Sequence, residues 1–276
     1  MTSAYQRFVA LGDSQTEGLN DLDESGALVG WADRLAVALE ATTSPGLAYA
    51  NLAIRGARAA DVLEKQLPTA LSLTPDLATV VVGMNDVLRH DFDLDRTVDR
   101  IEQTFAALTS TGCHVLTMTF PDIARMLPVL ARLRPREAAL NARIKVAAER
   151  HGVEVLDLFP LALCGDPQMW SHDRIHGSTV GHARIAAAMA ALLELPGADD
   201  SWAGPDLGRR PAEVAGRFDR WVAVSRDAHW VATFLVPFLA RQLWRRGSER
   251  VAKRPALLPL QQHGRPALVG ETAGAD

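Results

Sequence analysis

Five short apolar runs recur over the first 160 residues, and a longer segment with helical spacing follows nearly every one. The runs are Phe8–Gly12, Ala48–Ala53, Ala78–Gly83, His114–Phe120 and Val153–Phe159. The middle ones are almost continuously apolar, which fits strands buried on both faces. The helical segments are Trp31–Ala41, Ala59–Leu71, Leu94–Ser110 and Arg136–His151, with a last one at Thr179–Leu193. Such alternation predicts an α/β fold: a mostly parallel, five-stranded sheet with helices on both faces. No internal repeat competes with that reading.

With 276 residues, 48% of them hydrophobic, the chain has material for a large core, and global disorder is excluded. Its net charge of −4 says little, but the charge is unevenly spread. Residues 201–276 hold 12 basic and 7 acidic side chains, against 17 and 26 in residues 1–200. The alternation stops at Leu195-Pro196-Gly197, so an α/β domain is expected over 1–197, a helical extension over 198–254 and an extended or disordered tail over 255–276. Two cysteines, Cys113 and Cys164, are too few for a disulfide scaffold, and Cys113 reads as a buried free thiol. The N-terminus has no basic region followed by an apolar one, and no run of 18 apolar residues occurs. A soluble, cytoplasmic protein is the expectation.

Ligands of open α/β sheets bind at the carboxyl ends of the strands, so the residues placed there matter most. The first run ends Gly12-Asp13-Ser14, which sets a hydroxyl in the turn after the strand. Ser14 there is a nucleophile if a base reaches it; otherwise Ser14 or Asp13 is only a helix cap. Gly56 follows the second strand and offers a free backbone N–H, and Gly83-Met84-Asn85-Asp86 closes the third strand with an amide at the sheet edge. Both are suited to hold a developing oxyanion. After the fifth strand comes Ser171-His172-Asp173-Arg174-Ile175-His176-Gly177. A carboxylate three residues before an imidazole can bond its Nδ1, leaving Nε2 to take a serine proton. The alternatives are a helix cap at Asp173 beside an exposed histidine, or a metal pair of His172 and His176. No further Cys, His or Glu cluster completes a metal site, and no cofactor is expected.

These four blocks, in this order and spacing, resemble the SGNH hydrolases, also called the GDSL esterase/lipase family, over residues 8 to about 194. No G-x-S-x-G elbow is present. The resemblance implies a three-layer, flavodoxin-like domain. It also implies Ser14 as nucleophile, His176 as base and Asp173 as its orienter. The oxyanion would be held by the Ser14 and Gly56 N–H groups and the Asn85 side chain, with Asp13 and Asp86 bracing the site. Two positions depart from the family pattern: Gln15 stands where the eponymous motif has Leu, and Gly177 where many members have Pro.

The function so implied is serine carboxylic ester hydrolysis, falling at acid pH as His176 gains a proton. The same triad would serve an acyltransferase or a carbohydrate O-deacetylase, and the fold alone would serve a non-enzymatic binding protein. Two loops border the expected cleft. Asn20–Gly30 is polar; Pro121–Pro135 mixes apolar and basic residues and reads as a binding loop or a plain surface helix. Residues 221–254 combine Trp230, Phe234 and Phe238 at four-residue spacing with Arg241, Arg245, Arg246 and Lys253. That face is expected to pack on the catalytic domain or a second subunit, or to meet an anionic membrane surface. The expected partner is a small-molecule ester, and no nucleic-acid module is visible.

Overall fold

The computed structural model describes residues 4–204 and 251–260, with the isolated positions 233 and 237. The chain divides into two units, Met1–Ala203 with Val251–Asp276, and Gly204–Arg250. The first holds every element discussed below. Of the helical extension expected over 198–254 and its aromatic basic face, residues 205–250 lie outside the described residues apart from those two positions; Lys253 is described, and its Nζ donates to Asp33 Oδ2 at 2.7 Å and to Glu17 O at 3.3 Å.

In chain order the elements are β1 (Arg7–Gly12), α1 (Ser14–Glu17), α2 (Trp31–Thr42), β2 (Ala48–Asn51), α3 (Ala59–Asp61), a π turn over Val62–Gln66, α4 (Leu67–Ser72), β3 (Leu77–Val81), α5 (Met84–Val87), α6 (Leu94–Thr109), β4 (His114–Met118), α7 (Ile123–Met126), α8 (Arg134–His151), β5 (Glu154–Leu156), α9 (Thr179–Leu192) and β6 (Arg254–Pro259). The strands form one sheet in the order β5-β4-β3-β1-β2-β6. The first five are parallel, and β6 runs antiparallel on β2. The order 2-1-3-4-5 within the parallel part is the flavodoxin-like one.

The expected count of five strands is therefore corrected to six. Arg254–Pro259 has an apolar run of only three residues, Ala-Leu-Leu between prolines at 255 and 259, and only Arg254 and Leu257 are partly buried. An edge strand tolerates such a composition, because one side of its backbone needs no ladder partner. Its pairing with β2 is interrupted between Tyr49 and Asn51, and the Arg254 guanidinium lies 5.5 Å over the Tyr49 ring.

β1 sits between β3 and β2, so Phe8, Val9, Ala10 and Leu11 are fully buried. Right-handed crossovers place α2 on one face of the sheet and α3–α4, α6 and α8 on the other. α9 returns to pack against α2; Ala186, Met189 and Ala190 on the one and Trp31, Leu35 and Leu39 on the other are buried. α6 shows how sequence makes one of these layers. Asp93 caps it by accepting the Arg96 N–H at 3.0 Å. Val98, Ile101, Phe105 and Leu108 then recur at three- and four-residue steps and are buried against the sheet and α8. Each such side chain stabilises the fold by about 1.5–3 kcal/mol.

The helix expected over Ala59–Leu71 forms, but with a π turn at its centre. Pro68 has no N–H to give, and its ring crowds the carbonyl four residues back. The chain widens just before it, and the Leu67 N–H reaches Val62 O, five residues away. The Pro121–Pro135 segment is short helices: α7, a 3₁₀ stretch Pro128–Leu133, and α8 beginning at Arg134 with Pro135 in its first turn. Leu127 and Leu130 are buried beneath it. Among the described residues no helix is long and apolar enough to cross a membrane.

Candidate active site

The site begins where β1 ends. A Cβ on Gly12 would lie 2.5 Å from Val81 O and 2.6 Å from Thr16 Oγ1, so only glycine lets β1 and β3 close at this point. Both backbone groups of Gly12 are held by one side chain, Gln66, from the π turn. Gly12 N donates to Gln66 Oε1 and Gln66 Nε2 donates to Gly12 O, each at 2.9 Å. Asp13 is the cap of α1 and accepts the Gln15 N–H at 3.1 Å. Ser14 is thereby released from capping and starts the helix with its hydroxyl 2.8 Å from His176 Nε2.

His176 lies on the loop between β5 and α9. The loop is pinched by a bridge between Trp170 and Gly177 and by the Ser171 N–H donating to His176 O at 2.9 Å. Asp173 Oδ2 is 2.6 Å from His176 Nδ1. A carboxylate accepts, so Nδ1 carries the imidazole proton and Nε2 faces Ser14 as an acceptor. The other Asp173 oxygen accepts from Ser171 Oγ at 2.7 Å and from the Ile175 and His176 N–H groups at 2.9 Å. Burial works against the Asp173 charge, but the His176 hydrogen bond, its charge and these N–H donors outweigh it. Together they hold the carboxyl well below its ordinary range. Asp173 and His176 are each 3% exposed. His172 is exposed and takes no part.

Gly56 has a backbone φ of +82°, and among the described residues neither its N–H nor that of Ser14 is given to a protein acceptor. Asn85 arrives differently from expectation. Its Nδ2 already donates to Asp13 Oδ2 and to Ala57 O, each at 3.0 Å, so it can serve an oxyanion only by exchanging one of these bonds. Asp86 Oδ2 accepts the Ala59 N–H at 3.1 Å. Burial raises both Asp13 and Asp86 to about 6, against the pull of the Gln15 and Ala59 N–H groups respectively. Arg55, beside Gly56, is clamped by Glu17 through its backbone N–H at 2.7 Å and its guanidinium at 2.6 Å. Both thiols are buried, and burial pushes Cys113 up to about 12 and Cys164 up to about 11.

Three polar residues around the site were not assigned supporting roles by sequence. Gln66 is one. Gln15 and Asn20 are the others: Gln15 Nε2 donates to Ile175 O at 2.7 Å, and Asn20 Nδ2 donates to Asp173 Oδ2 at 2.6 Å. Asn20 has a φ of +72°, a left-handed turn position that Asn tolerates, and this was the only local signal available. Next to the triad lies an apolar pocket whose wall includes Gln15 and Gly177, the neighbours of Ser14 and His176. Met118, Phe120, Leu158, Trp170 and Ile185 also line it.

A family model described as the GDSL-like lipase/acylhydrolase family matches residues 10–184. No curated protein matches the chain. Among solved structures, a catalytic mutant of Axe2, an acetylxylan esterase from Geobacillus stearothermophilus, is 19% identical with a TM-score of 0.58. That match covers 70% of this chain and 96% of Axe2. The psychrotrophic esterase EstA from Pseudoalteromonas sp., inhibited by monoethylphosphonate, is 16% identical over 68% and 97% of the two chains, with a TM-score of 0.55. LAE5, an alpha/beta hydrolase enzyme from the metagenome of Lake Arreo, is 23% identical over 70% and 96%, with a TM-score of 0.53. At these identities the structural likeness carries the fold, and the family match carries the chemistry of ester hydrolysis. Matched over the segment that holds Ser14, Asp173 and His176, the chain belongs to the GDSL-like lipase/acylhydrolase family.

Proposed function

We propose that this chain hydrolyses carboxylic esters through an acyl-enzyme on Ser14, with His176 as base and Asp173 orienting it. The observation that carries the reading is the unbroken chain Ser14 Oγ, His176 Nε2, His176 Nδ1 and Asp173 Oδ2, with steps of 2.8 and 2.6 Å across the two residue pairs. Ser14 Oγ attacks the ester carbonyl carbon while its proton passes to Nε2. The carbonyl electron pair moves onto oxygen, which accepts hydrogen bonds from the Ser14 and Gly56 N–H groups and from an Asn85 N–H turned away from Asp13 or Ala57. The C–O bond to the alcohol then breaks, and the alcohol leaves with the proton from Nε2. Water enters, gives a proton to Nε2 and adds to the acyl carbon. Ser14 Oγ departs with that proton and the acid is released.

The apolar pocket beside Gln15 and Gly177 supports an ester with an apolar acyl or aryl group over a polar one. Hydrolysis of p-nitrophenyl esters from two to twelve acyl carbons tests the reading. Clear turnover that vanishes in Ser14→Ala, with circular dichroism unchanged, supports it. Equal, background rates in both proteins overturn it in favour of a binding role. Added acceptor alcohols separate transfer from hydrolysis by their ester products.

A further inference from the structure

The loop that carries the nucleophile also grips the loop that carries the base, and it does so with two side-chain amides. Gln15 brackets His176. Its Nε2 donates to the carbonyl of Ile175 at 2.7 Å, and its Oε1 accepts the N–H of Gly177 at 3.2 Å. One amide plane thus meets the backbone immediately before and after the imidazole. Asn20 holds the other end. Its Nδ2 donates to Ser171 Oγ at 3.1 Å and to Asp173 Oδ2 at 2.6 Å, the same oxygen that accepts from His176 Nδ1. These residues are more than 150 positions from their partners in sequence.

We propose that Gln15 and Asn20 are positioning residues: Gln15 sets the place of the imidazole relative to Ser14, and Asn20 sets how strongly Asp173 attracts the imidazole proton. The proposal rests on Ser14 and His176 being the reacting pair. Its physical basis is twofold. The His176 loop is tied to itself by the Trp170–Gly177 bridge and by Asp173, and neither fixes its distance from β1. Gln15 supplies that distance directly, since it follows Ser14 in the chain. Asn20 withdraws electron density from Asp173 Oδ2, so its loss leaves a carboxylate that stabilises the imidazolium more. Among the described residues Asp13, on the nucleophile loop, and His182, on α9, also act electrostatically on His176; both substitutions leave them in place.

Gln15→Met keeps the length of the side chain and removes both bonds. It is expected to lower kcat per titrated site by about 10- to 100-fold, the scale of a small misplacement of reacting groups, with KM for an acetate ester, too short to fill the apolar pocket, within about threefold. Gln15→Glu keeps the acceptor for Gly177 but, once ionised, sets a charged oxygen against Ile175 O, and should fall at least as far as Gln15→Met at neutral pH. Asn20→Leu should move the acid limb of kcat/KM to higher pH by about half a unit or more. The proteins are compared after active-site titration with a fluorophosphonate, so that unfolded or misfolded molecules are not counted. A second readout needs no turnover: the proton NMR signal of His176 Nδ1 should shift, and its titration midpoint rise, in Asn20→Leu. Wild-type kcat per titrated site in Gln15→Met overturns the assignment of Gln15. An unmoved acid limb with an unmoved His176 signal overturns that of Asn20. Absence of turnover and of labelling in the wild type, with Ser14→Ala identical, would instead defeat the esterase reading, while the NMR comparison still decides the Asn20 contact.

Discussion

Replacing Gln66 by Leu removes the side chain that satisfies both backbone groups of Gly12, two residues before the nucleophile. Gln66 is 4% exposed, so water does not take over its bonds. Gly12 O retains the Ile54 N–H at 3.2 Å, but Gly12 N is left without an acceptor. Two lost hydrogen bonds and one orphaned buried donor sum to about 2–4 kcal/mol. For a domain of this size that is a fall in Tm on the order of 5–15 °C. Gln66→Glu refines the test. As a neutral acid it reproduces the amide's donor and acceptor; as a carboxylate it sets a charged oxygen against Gly12 O. Its folded pKa is therefore raised above the unfolded value. Stability close to wild type is expected at acid pH and is lost as pH rises above the unfolded carboxyl value toward the raised folded one. Differential scanning calorimetry of the wild type and both variants from pH 4.5 to 8.5 measures this, with kcat per titrated site alongside. The reasoning is refuted if Gln66→Leu melts within about 2 °C of wild type, or if the two variants show the same dependence on pH.

Glu137 offers a second pH test. It is fully buried on α8, accepts the Ile123 N–H at 3.3 Å, and burial raises it to about 8 from an ordinary 4.5. A carboxyl raised on folding favours the folded state at low pH and costs stability progressively between about 4.5 and 8, with an upper bound on the order of 5 kcal/mol. Glu137→Gln should match wild type near pH 5 and exceed it by several degrees in Tm at pH 9; a difference that does not change with pH would refute the assignment. Turnover should show one acid limb, as the His176 imidazole takes a proton, with Asp173 ionised throughout because its donors hold it low. A profile of kcat/KM flat from pH 5 to 8 would exclude His176 as the base. Enlarging the apolar pocket wall by Ala188→Phe should slow esters of eight or more carbons and spare the acetate; equal effects on both would place the acyl group elsewhere.

The parts legible in sequence are those with a local cause. Continuous apolar runs announced β1 and β3 because strands buried on both faces need no alternation, and the residues at their carboxyl ends named themselves by type: Ser14 after Gly12, Asn85 after Gly83, His176 three past Asp173. What escaped was set by partners far away in the chain. Gln66 lies within a helical segment, and nothing near it signals a bond to Gly12, 54 positions earlier. Asn20 reads in sequence only as the start of a polar loop, and its partner Asp173 lies 153 positions on. Asn85 was recognised by type, but its engagement with Asp13 and Ala57 depends on how two strand ends converge. β6 left only three apolar residues between two prolines, because an edge strand gains its order from the ladder with β2 more than from burial. The π turn has a local cause in Pro68, but its consequence, the aim of Gln66, is tertiary.

The most direct test of the central claim is to find which atom is the nucleophile. Wild type and Ser14→Ala are treated with diethyl p-nitrophenyl phosphate, digested and mapped by mass spectrometry. One diethylphosphoryl group per molecule on the peptide that contains Ser14, absent in the variant and accompanied by loss of ester turnover, is the predicted result. Modification at another residue, or full turnover in a protein whose Ser14 is blocked, would contradict it.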